Sequence, residues 1–237
     1  MRVRKENSMS QLRGLTIKAS EPARVADFYR SVFELKTVSE DPELIRLSDG
    51  VFTLALLKER NEESTGLHAS GFQVEDLNSV QQKAEKGGPA SPQSDIQVAD
   101  LDQNLIDLTT KDFGVTAEKT PYPIRHIALY TADPKRLSNF YGEALGMKEI
   151  SQTDRSSIFV SDGYFNLALL YQRVREEKNG FNHFGFHVND LEEIRDRAEK
   201  AGTRRGAARP SRIPFAEVRI HDPEGNGIDI SVKGWNV

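Results

Sequence analysis

The chain has 237 residues, of which 37% are hydrophobic, which suits a globular protein with two domains of ordinary size. Its net charge of -4 gives no reason to expect nucleic acid or an anionic membrane surface as a partner. The lack of cysteine excludes disulfides, thiolate metal ligands and a cysteine nucleophile, and it fits a protein of the reducing cytoplasm. No apolar run approaches the roughly 18 residues of a membrane span.

An internal repeat divides the chain into two modules. The segment IRHIALYTADPKRLSNFY at 124–141 repeats the segment LRGLTIKASEPARVADFY at 12–29. Three more pairs follow in the same order, namely 48–57 with 161–170, 70–88 with 184–202, and 100–109 with 222–231. Units of about 110 residues are domain-sized and far longer than the repeats of solenoids. We therefore predict a disordered tail at 1–11, an N-terminal module at 12–112, a linker at 113–123 and a C-terminal module at 124–237.

We predict that each module contains the order βαβββ twice. Along each module the spacing of hydrophobic residues switches between the period of 2 residues that is typical of strands and the period of 3.6 residues that is typical of helices. In the N-terminal module these two units span 12–57 and 67–109. The strands that we predict in the C-terminal module are 125–131, 147–151, 156–160, 164–171, 183–188, 214–221 and 227–232. The predicted fold class is α+β, with the strands of each module arranged as an incomplete barrel.

Capping residues set the bounds of the two helices of the C-terminal module. Asp133 is a typical N-cap, Pro134 suits the first helical position, and Gly146 suits the stop of the first helix. The second helix is predicted to run from a cap at Asp190 to Gly202.

The two modules differ at positions that carry metal chemistry. His126 and His183 in the C-terminal module stand where the N-terminal module has Gly14 and Ala69. Both modules keep an acid in the last strand, which is Asp229 in the C-terminal copy. This difference predicts a working metal site in the C-terminal module and a blank site in the N-terminal one.

His126, His183 and Asp229 are suitable ligands for a divalent transition metal, because two imidazoles and a carboxylate leave coordination positions open for substrate. They must converge from three strands, in which alternate residues share one face. Two alternatives stay open: a strand histidine without a ligand role, and an acid that serves only its hairpin, as Asp107 does without a histidine partner. We assign His68 no ligand role, because it is offset by one residue and so should face the other way.

These motifs resemble those of the vicinal oxygen chelate superfamily, which includes glyoxalases, bleomycin resistance proteins and type I extradiol dioxygenases. The matching stretches are the strand RHIAL with its helix opener DPKRLSNFY, the strand HFGFHVNDL and the hairpin DPEGNGIDI. The resemblance extends from Leu12 to Val232 and so covers both modules. It implies two tandem glyoxalase/dioxygenase-like modules built from paired βαβββ units.

The resemblance also implies a site. His126, His183 and Asp229 match the family's metal ligands, although relatives usually carry Glu at the third position. Fe(II) or Mn(II) is the expected cofactor, and Zn, Ni and Co are further candidates. An N-terminal module without metal ligands, followed by a C-terminal module that carries them, resembles the arrangement in extradiol dioxygenases. Two residues depart from the pattern of those enzymes. Ala168 replaces a further histidine, and Arg219 replaces a tyrosine in the predicted hairpin partner of Asp229.

We therefore expect a metal-dependent enzyme that acts on a small substrate with vicinal oxygens, and extradiol cleavage of an aromatic diol is the first candidate reaction. His187 is a candidate for proton transfer and Arg219 for substrate anchoring. The alternatives are a metal-free, resistance-type protein that binds a small molecule, and a metal-dependent isomerase, epimerase or lyase. The N-terminal module is expected to support the fold and is a candidate interface for a homo-oligomer.

Overall fold

The structure is a computed structural model that describes residues 10–153, 156–172, 179–210 and 216–237. A 3-10 turn at Glu62–Ser64 lies between the fourth and fifth strands. The elements of the N-terminal module are β1 (Gln11–Ala19), α1 (Pro22–Phe33), β2 (Lys36–Asp41), β3 (Leu44–Ser48), β4 (Thr53–Lys58), β5 (Gly66–Gln73), α2 (Leu77–Gln81), β6 (Glu85–Lys86), β7 (Ile96–Ala99) and β8 (Leu105–Thr109).

The C-terminal module repeats this order of elements. Its helices and strands are β9 (Ile124–Thr131), α3 (Pro134–Leu145), β10 (Lys148–Gln152), β11 (Ile158–Ser161), β12 (Asn166–Tyr171), β13 (Gly180–His187), α4 (Leu191–Lys200), β14 (Ala207–Ala208), β15 (Val218–His221) and β16 (Gly227–Ser231).

Each module forms one eight-stranded sheet. The strand order is β2-β3-β4-β1-β5-β8-β7-β6 in the N-terminal module and β10-β11-β12-β9-β13-β16-β15-β14 in the C-terminal module. In the second sheet β9 is parallel to β12, β13 is parallel to β16, and β9 is antiparallel to β13, as for their counterparts in the first sheet. The end strands of each described sheet are not paired with each other, so the sheets stay open. The predicted α+β fold of paired βαβββ units in an incomplete barrel is confirmed.

The helices of the C-terminal module begin where the capping residues predict. The Asp133 carboxylate accepts a hydrogen bond of 3.0 Å from the backbone N–H of Arg136 at the start of α3. Gly146 follows α3 in the left-handed conformation, with φ of 72°, which a residue without a side chain adopts readily. Asp190 caps α4 in the same way as Asp133 caps α3. No described helix is long and apolar enough to cross a membrane.

Some strand bounds differ from the prediction. β13 begins at Gly180 rather than at 183, because it continues to pair with β9 as far as Tyr130. The predicted strand at 214–221 corresponds to β15, and residues 214 and 215 lie outside the described residues. The short strand β14 was not predicted, since two exposed alanines carry no periodic signal.

Two predicted domain boundaries also shift. β1 begins at Gln11, so the tail predicted at 1–11 extends too far into the module. The linker predicted at 113–123 begins too early, because the buried Phe113 ring packs against Gly71 in the N-terminal sheet.

The two modules share a hydrophobic core, in which buried side chains from both form one continuous cluster. Phe52 and Phe165 are equivalent in the repeat, and their rings stack on each other with centroids 4.9 Å apart. Phe33 of α1 stacks on Phe186 of β13 at 3.7 Å. Because large aromatic side chains from both modules interlock, the modules pack as one unit.

Reciprocal hydrogen bonds join the modules at repeat-equivalent residues. The Tyr29 hydroxyl donates to the Asp222 carboxylate at 2.9 Å, and the Tyr141 hydroxyl donates to Asp100 at 3.0 Å. All four side chains are buried. Contacts that occur twice with the roles exchanged are typical of a two-fold arrangement of similar units. The tyrosine after the first strand and the aspartate before the last strand therefore hold the interface.

A second reciprocal pair uses the aspartate of the SDG turns. Asp162 accepts a hydrogen bond of 2.9 Å from the backbone N–H of Leu12, where β1 begins. Asp49 accepts one of 2.7 Å from the backbone N–H of Ile124, the first residue of β9. Each turn thus fixes the first strand of the other module.

Candidate active site in the C-terminal module

Three strands bring together the metal ligands predicted from the sequence. His126 lies on β9, His183 on β13 and Asp229 on β16, which are neighbours in the sheet. Their side chains lie on one sheet face, which we call the cup face, and all three residues are buried. His183 Nε2 lies 3.1 Å from Asp229 Oδ2, and the two imidazole centroids are 5.3 Å apart.

His126 is held in one orientation by two neighbours that the sequence prediction missed. Its Nδ1 lies 2.8 Å from the side-chain oxygen of Asn166 on β12, so Nδ1 carries the proton and Nε2 remains as the nitrogen that can bind a metal. Its ring stacks on Trp235 with centroids 4.9 Å apart and planes 5° apart. Burial, together with the nearby His183, lowers the pKa of His126 to about 3, so the ring is neutral.

His183 is neutral as well, although it lies beside a carboxylate. Burial lowers its pKa more than the hydrogen bond and charge of Asp229 raise it. Nδ1 of His183 lies 2.6 Å from the side-chain oxygen of Asn182. A β-bulge at this point, between the pairs Phe181 with Leu129 and His183 with Ala128, leaves Asn182 as the extra residue.

Two guanidinium groups hold the Asp229 carboxylate. Arg219 lies directly opposite Asp229 in the β15–β16 hairpin, as predicted, and its Nε donates to Oδ1 at 2.5 Å. Arg209 donates to the same oxygen at 3.4 Å. Burial raises the pKa of Asp229, but its hydrogen bonds with His183 and Arg219 outweigh burial and hold that pKa below its usual range. The cluster therefore contains one negative and two positive charges around two neutral imidazoles.

Some N–H groups of these arginines have no partner. Arg219 Nη2 and Arg209 Nε are buried and make no hydrogen bond within the described part of the chain. A buried guanidinium N–H without an acceptor is costly, so an incoming oxygen anion at this point would be stabilised by groups that are already in place. The cluster is thus suited to a ligand that brings negative charge.

The C-terminal segment covers the cluster. Gly185 lies beneath Trp235, and a Cβ atom at Gly185 would approach the indole to 2.6 Å. The carbonyl of Asn236 accepts a hydrogen bond of 2.8 Å from the side-chain amide of Asn166. Asn166 therefore orients His126 through its oxygen and fixes the C-terminal segment through its nitrogen.

The donor chemistry of the cluster fits a divalent ion, but its present arrangement does not surround one. Within the described residues, no group of three or more histidine and carboxylate side chains stands around a common metal position. The reason lies in Asp229, whose oxygens contact Arg219 and His183. Two imidazoles and a carboxylate are nevertheless donor types that suit a divalent transition metal.

Other residues predicted at the site lie elsewhere or add no polar group. His187 shares the cup face, but its Nε2 lies 3.0 Å from the carbonyl of Val232, so its described contacts are away from the cluster. Ala168 is buried in a small apolar group with Ala128 and Phe159. Around Asp229 the site presents the guanidinium of Arg219, as predicted, and that of Arg209, which was not predicted, while the described contact of His187 lies elsewhere.

Comparisons with known proteins agree with this architecture. Residues 123–230 match the family model described as the Glyoxalase/Bleomycin resistance protein/Dioxygenase superfamily. No curated protein sequence matches the chain significantly.

Solved structures resemble the chain over both modules. The 2,3-dioxygenase LapB from Pseudomonas sp. KL28 has a TM-score of 0.69 and 15% identity, with 95% of this chain and 92% of that one covered. The Mn(II)-bound glyoxalase from Novosphingobium aromaticivorans has a TM-score of 0.74 and 15% identity, with 94% and 82% covered. An extradiol ring-cleaving dioxygenase from B. fuscum has a TM-score of 0.70 and 18% identity, with 97% and 73% covered.

At these identities the solved structures show a shared fold, and the family model adds the sequence signature of the module that holds the histidines. The C-terminal module therefore carries the sequence signature of the glyoxalase/bleomycin resistance protein/dioxygenase superfamily.

Proposed function

We propose that the C-terminal module is the active site of a metal-dependent enzyme whose small substrate carries two adjacent oxygens, at least one of them negatively charged. The observation that carries this proposal is the convergence of His126, His183 and Asp229 on one buried face. The structural similarity to a Mn(II)-bound glyoxalase and to extradiol dioxygenases supports a divalent ion as cofactor.

Each residue of the cluster has a distinct part in this proposal. His126, through Nε2, would hold the ion together with His183 and Asp229, and Asn166 keeps the His126 ring in place. A divalent ion bound there supplies a Lewis acid that stabilises negative charge on substrate oxygens. Arg219 would donate its unpaired Nη2 to an anionic substrate oxygen. The Trp235 ring, stacked on His126, limits access of water from that side.

Among reactions, oxygen-dependent cleavage of an aromatic diol is the first to test, because a catecholate offers two adjacent oxygens and negative charge. The similarity to LapB and to the B. fuscum enzyme over more than 90% of this chain supports testing this reaction first. A metal-dependent isomerase, epimerase or lyase is the alternative, and it would need the ion but no oxygen. The cysteine-free composition supports a cytoplasmic location for either activity.

A metal-free binding protein is the second candidate, and a specific observation favours it. Arg209 and Arg219 already surround Asp229, and their unpaired N–H groups can bind an anion without any metal. Their positive charges also oppose a divalent cation at the same place. This candidate predicts saturable binding of an anionic small molecule to protein that contains no stoichiometric metal.

Metal content is the measurement that tests the proposal. The protein is purified anaerobically without an affinity tag, and its metals are measured by elemental analysis, together with His126→Ala and His183→Ala. We expect close to one divalent ion per chain in the natural protein and loss of most of it in both variants. His68→Ala, which removes a histidine from the N-terminal module, is the matched control and should keep the metal.

The identity of the ion directs the activity assay. Iron or manganese calls for oxygen uptake with catechols, and uptake that disappears in His126→Ala supports the dioxygenase. Another divalent ion with no oxygen uptake supports the isomerase or lyase class. Metal that persists in both histidine variants, or a natural protein that takes up no metal on addition, contradicts the proposal and leaves the anion-binding candidate.

A further inference from the structure

The cup face of the N-terminal module encloses a cavity of about 340 Å³. This volume lies within the range of about 300–1,000 Å³ that small-molecule sites occupy. Strands from both sides of the sheet contribute to its walls, so the sheet curves around it. The apolar walls come from β3, β4, β8 and the loop at 88–92, and they include Leu44, Leu57, Leu105, Pro89 and Pro92.

A β-bulge turns His68 toward this cavity. In the β1–β5 pair, Ala69 lies opposite Thr16 while Leu67 lies opposite Ile17, so His68 is the extra residue of the bulge. The prediction from strict alternation placed His68 on the other face and was wrong on this point, because a bulge interrupts alternation. His68 lines the cavity beside Thr16 and Lys18.

The floor of the cavity cannot provide the donors of a metal site. Gly14 and Ala69 replace the two histidines of the other module. The buried Asp107 accepts hydrogen bonds at Oδ1 from Gln97 at 2.9 Å and Ser94 at 3.2 Å, and at Oδ2 from the Thr16 hydroxyl at 3.4 Å, so neutral groups contact both oxygens. The cavity therefore calls for an organic ligand rather than an ion.

Polar groups in this cavity gather on one side. Lys18 lines the cavity, and its ammonium group forms an ion pair of 3.0 Å with Glu59, which leaves further N–H donors on the same nitrogen. His68 is half-buried beside it, and burial together with the charge of Lys18 lowers the pKa of His68, so this ring is a neutral hydrogen-bonding group at pH 7. An apolar chamber with ammonium and imidazole hydrogen-bonding groups on one side fits a ligand that has an apolar body and one acidic group that accepts hydrogen bonds.

We propose that the N-terminal module binds a small apolar acid, such as an aromatic carboxylate, in this cavity. The apolar body lies between Leu44, Leu57 and Leu105, and the carboxylate accepts hydrogen bonds from Lys18 and His68. This site is separate from the His126 cluster and does not depend on the function proposed for it. The module without histidines is then a ligand-binding module rather than a support alone.

Fluorine NMR and calorimetry with 4-(trifluoromethyl)benzoate on the full chain test this site. We expect saturable binding of one probe per chain that is unchanged after treatment with a chelator. Leu57→Trp fills the cavity and should weaken binding at least about tenfold, because it removes the space for the apolar body. Leu170→Trp is the matched control, since it is the repeat-equivalent position of the C-terminal module and is equally half-buried.

A second variant tests the polar side. Lys18→Met keeps roughly the length of the side chain and removes its charge. It should weaken binding of the benzoate by about tenfold and leave binding of the neutral 4-(trifluoromethyl)benzamide nearly unchanged. Melting temperatures of all variants verify that they fold. Binding that is lost in Leu170→Trp but kept in Leu57→Trp overturns the proposal, because the probe then occupies the other module. Lack of saturable binding by both probes overturns it as well.

Discussion

The two modules have the same strand order and the same interface contacts, yet their cup faces hold different groups. In the C-terminal module His126 fills the space next to Trp235, whereas in the N-terminal module Gly14 leaves that space to Phe113. Beside the shared acid, Arg219 of the C-terminal module has Gln97 as its counterpart. One module thus gathers guanidinium and imidazole groups around its acid, and the other surrounds its acid with neutral groups beneath an open cavity.

This comparison separates residues that hold the fold from residues that can do chemistry. The residues that both modules keep, such as Tyr29 with Tyr141 and Asp100 with Asp222, form the reciprocal interface. The aspartate of the DPEGN turn therefore binds the other module and not a metal. Three differences between the modules, His126 for Gly14, His183 for Ala69 and Arg219 for Gln97, lie together on the cup face, and they locate the candidate site.

The largest expected effect comes from the shared acid. Asp229→Asn leaves Arg209 and Arg219 without their carboxylate, and an uncompensated buried charge is strongly destabilising. We expect the metal-free variant to lose about 2–4 kcal/mol of unfolding free energy. This loss is smaller than that for a fully buried unpaired charge, because the side chains of Arg209 and Arg219 are 19% and 21% exposed. Urea unfolding measures it.

Asp107→Asn is the control for this prediction. Asp107 accepts from neutral groups, so an amide can keep part of the network, and we expect a loss of about 1 kcal/mol. Equal losses in the two variants would contradict the view that only the acid of the C-terminal module depends on cationic partners. A more stable Asp229→Asn would show that the arginines do not depend on that carboxylate.

The second prediction concerns the reciprocal interface. Tyr29→Phe removes one hydrogen bond to the buried Asp222, and Tyr141→Phe removes its counterpart to Asp100. Hydrogen bonds to charged groups contribute about 1.5–3 kcal/mol, so each variant should lose a similar amount of unfolding free energy. The two losses should add in the double variant, because the contacts lie apart. A loss confined to one tyrosine would show that the interface is not equivalent at its two ends.

Much of the fold and part of the site could be predicted from the sequence. Periodicity and caps gave the paired βαβββ units, and alternation within strands placed His126, His183 and Asp229 on one face. The opposition of Arg219 and Asp229 followed from counting residues across a hairpin and is confirmed by the pairing.

The parts that were missed depend on contacts that periodicity does not encode. A β-bulge brought His68 into the N-terminal cavity, and no local signal in the sequence marks that extra residue. Trp235 was missed although the sequence contains a signal for it. Lys233 and Trp235 follow the last strand of the C-terminal module as Lys111 and Phe113 follow the last strand of the N-terminal module. Arg209 was missed because it lies in an irregular segment, where strand alternation makes no prediction.

The third and smallest expected effect compares the aromatic covers of the two modules. A Cβ atom at Gly185 would lie 2.6 Å from Trp235, and one at Gly71 would lie 2.7 Å from Phe113, so alanine at either position must displace the ring. Overpacking of this kind costs about 1–3 kcal/mol, and we expect both variants to lose stability within that range.

Fluorescence then distinguishes the two alanine variants, because Trp235 is the single tryptophan of the chain. Gly185→Ala should shift the emission to longer wavelength as the indole leaves His126 and meets water, whereas Gly71→Ala should leave the emission unchanged. If Trp235 also keeps His126 in place for a metal, Gly185→Ala should lower metal content while Gly71→Ala retains it. Unchanged emission in Gly185→Ala would mean that the sheet, and not the indole, yields to the added methyl group, and the C-terminal segment would then be a more rigid cover than its N-terminal counterpart.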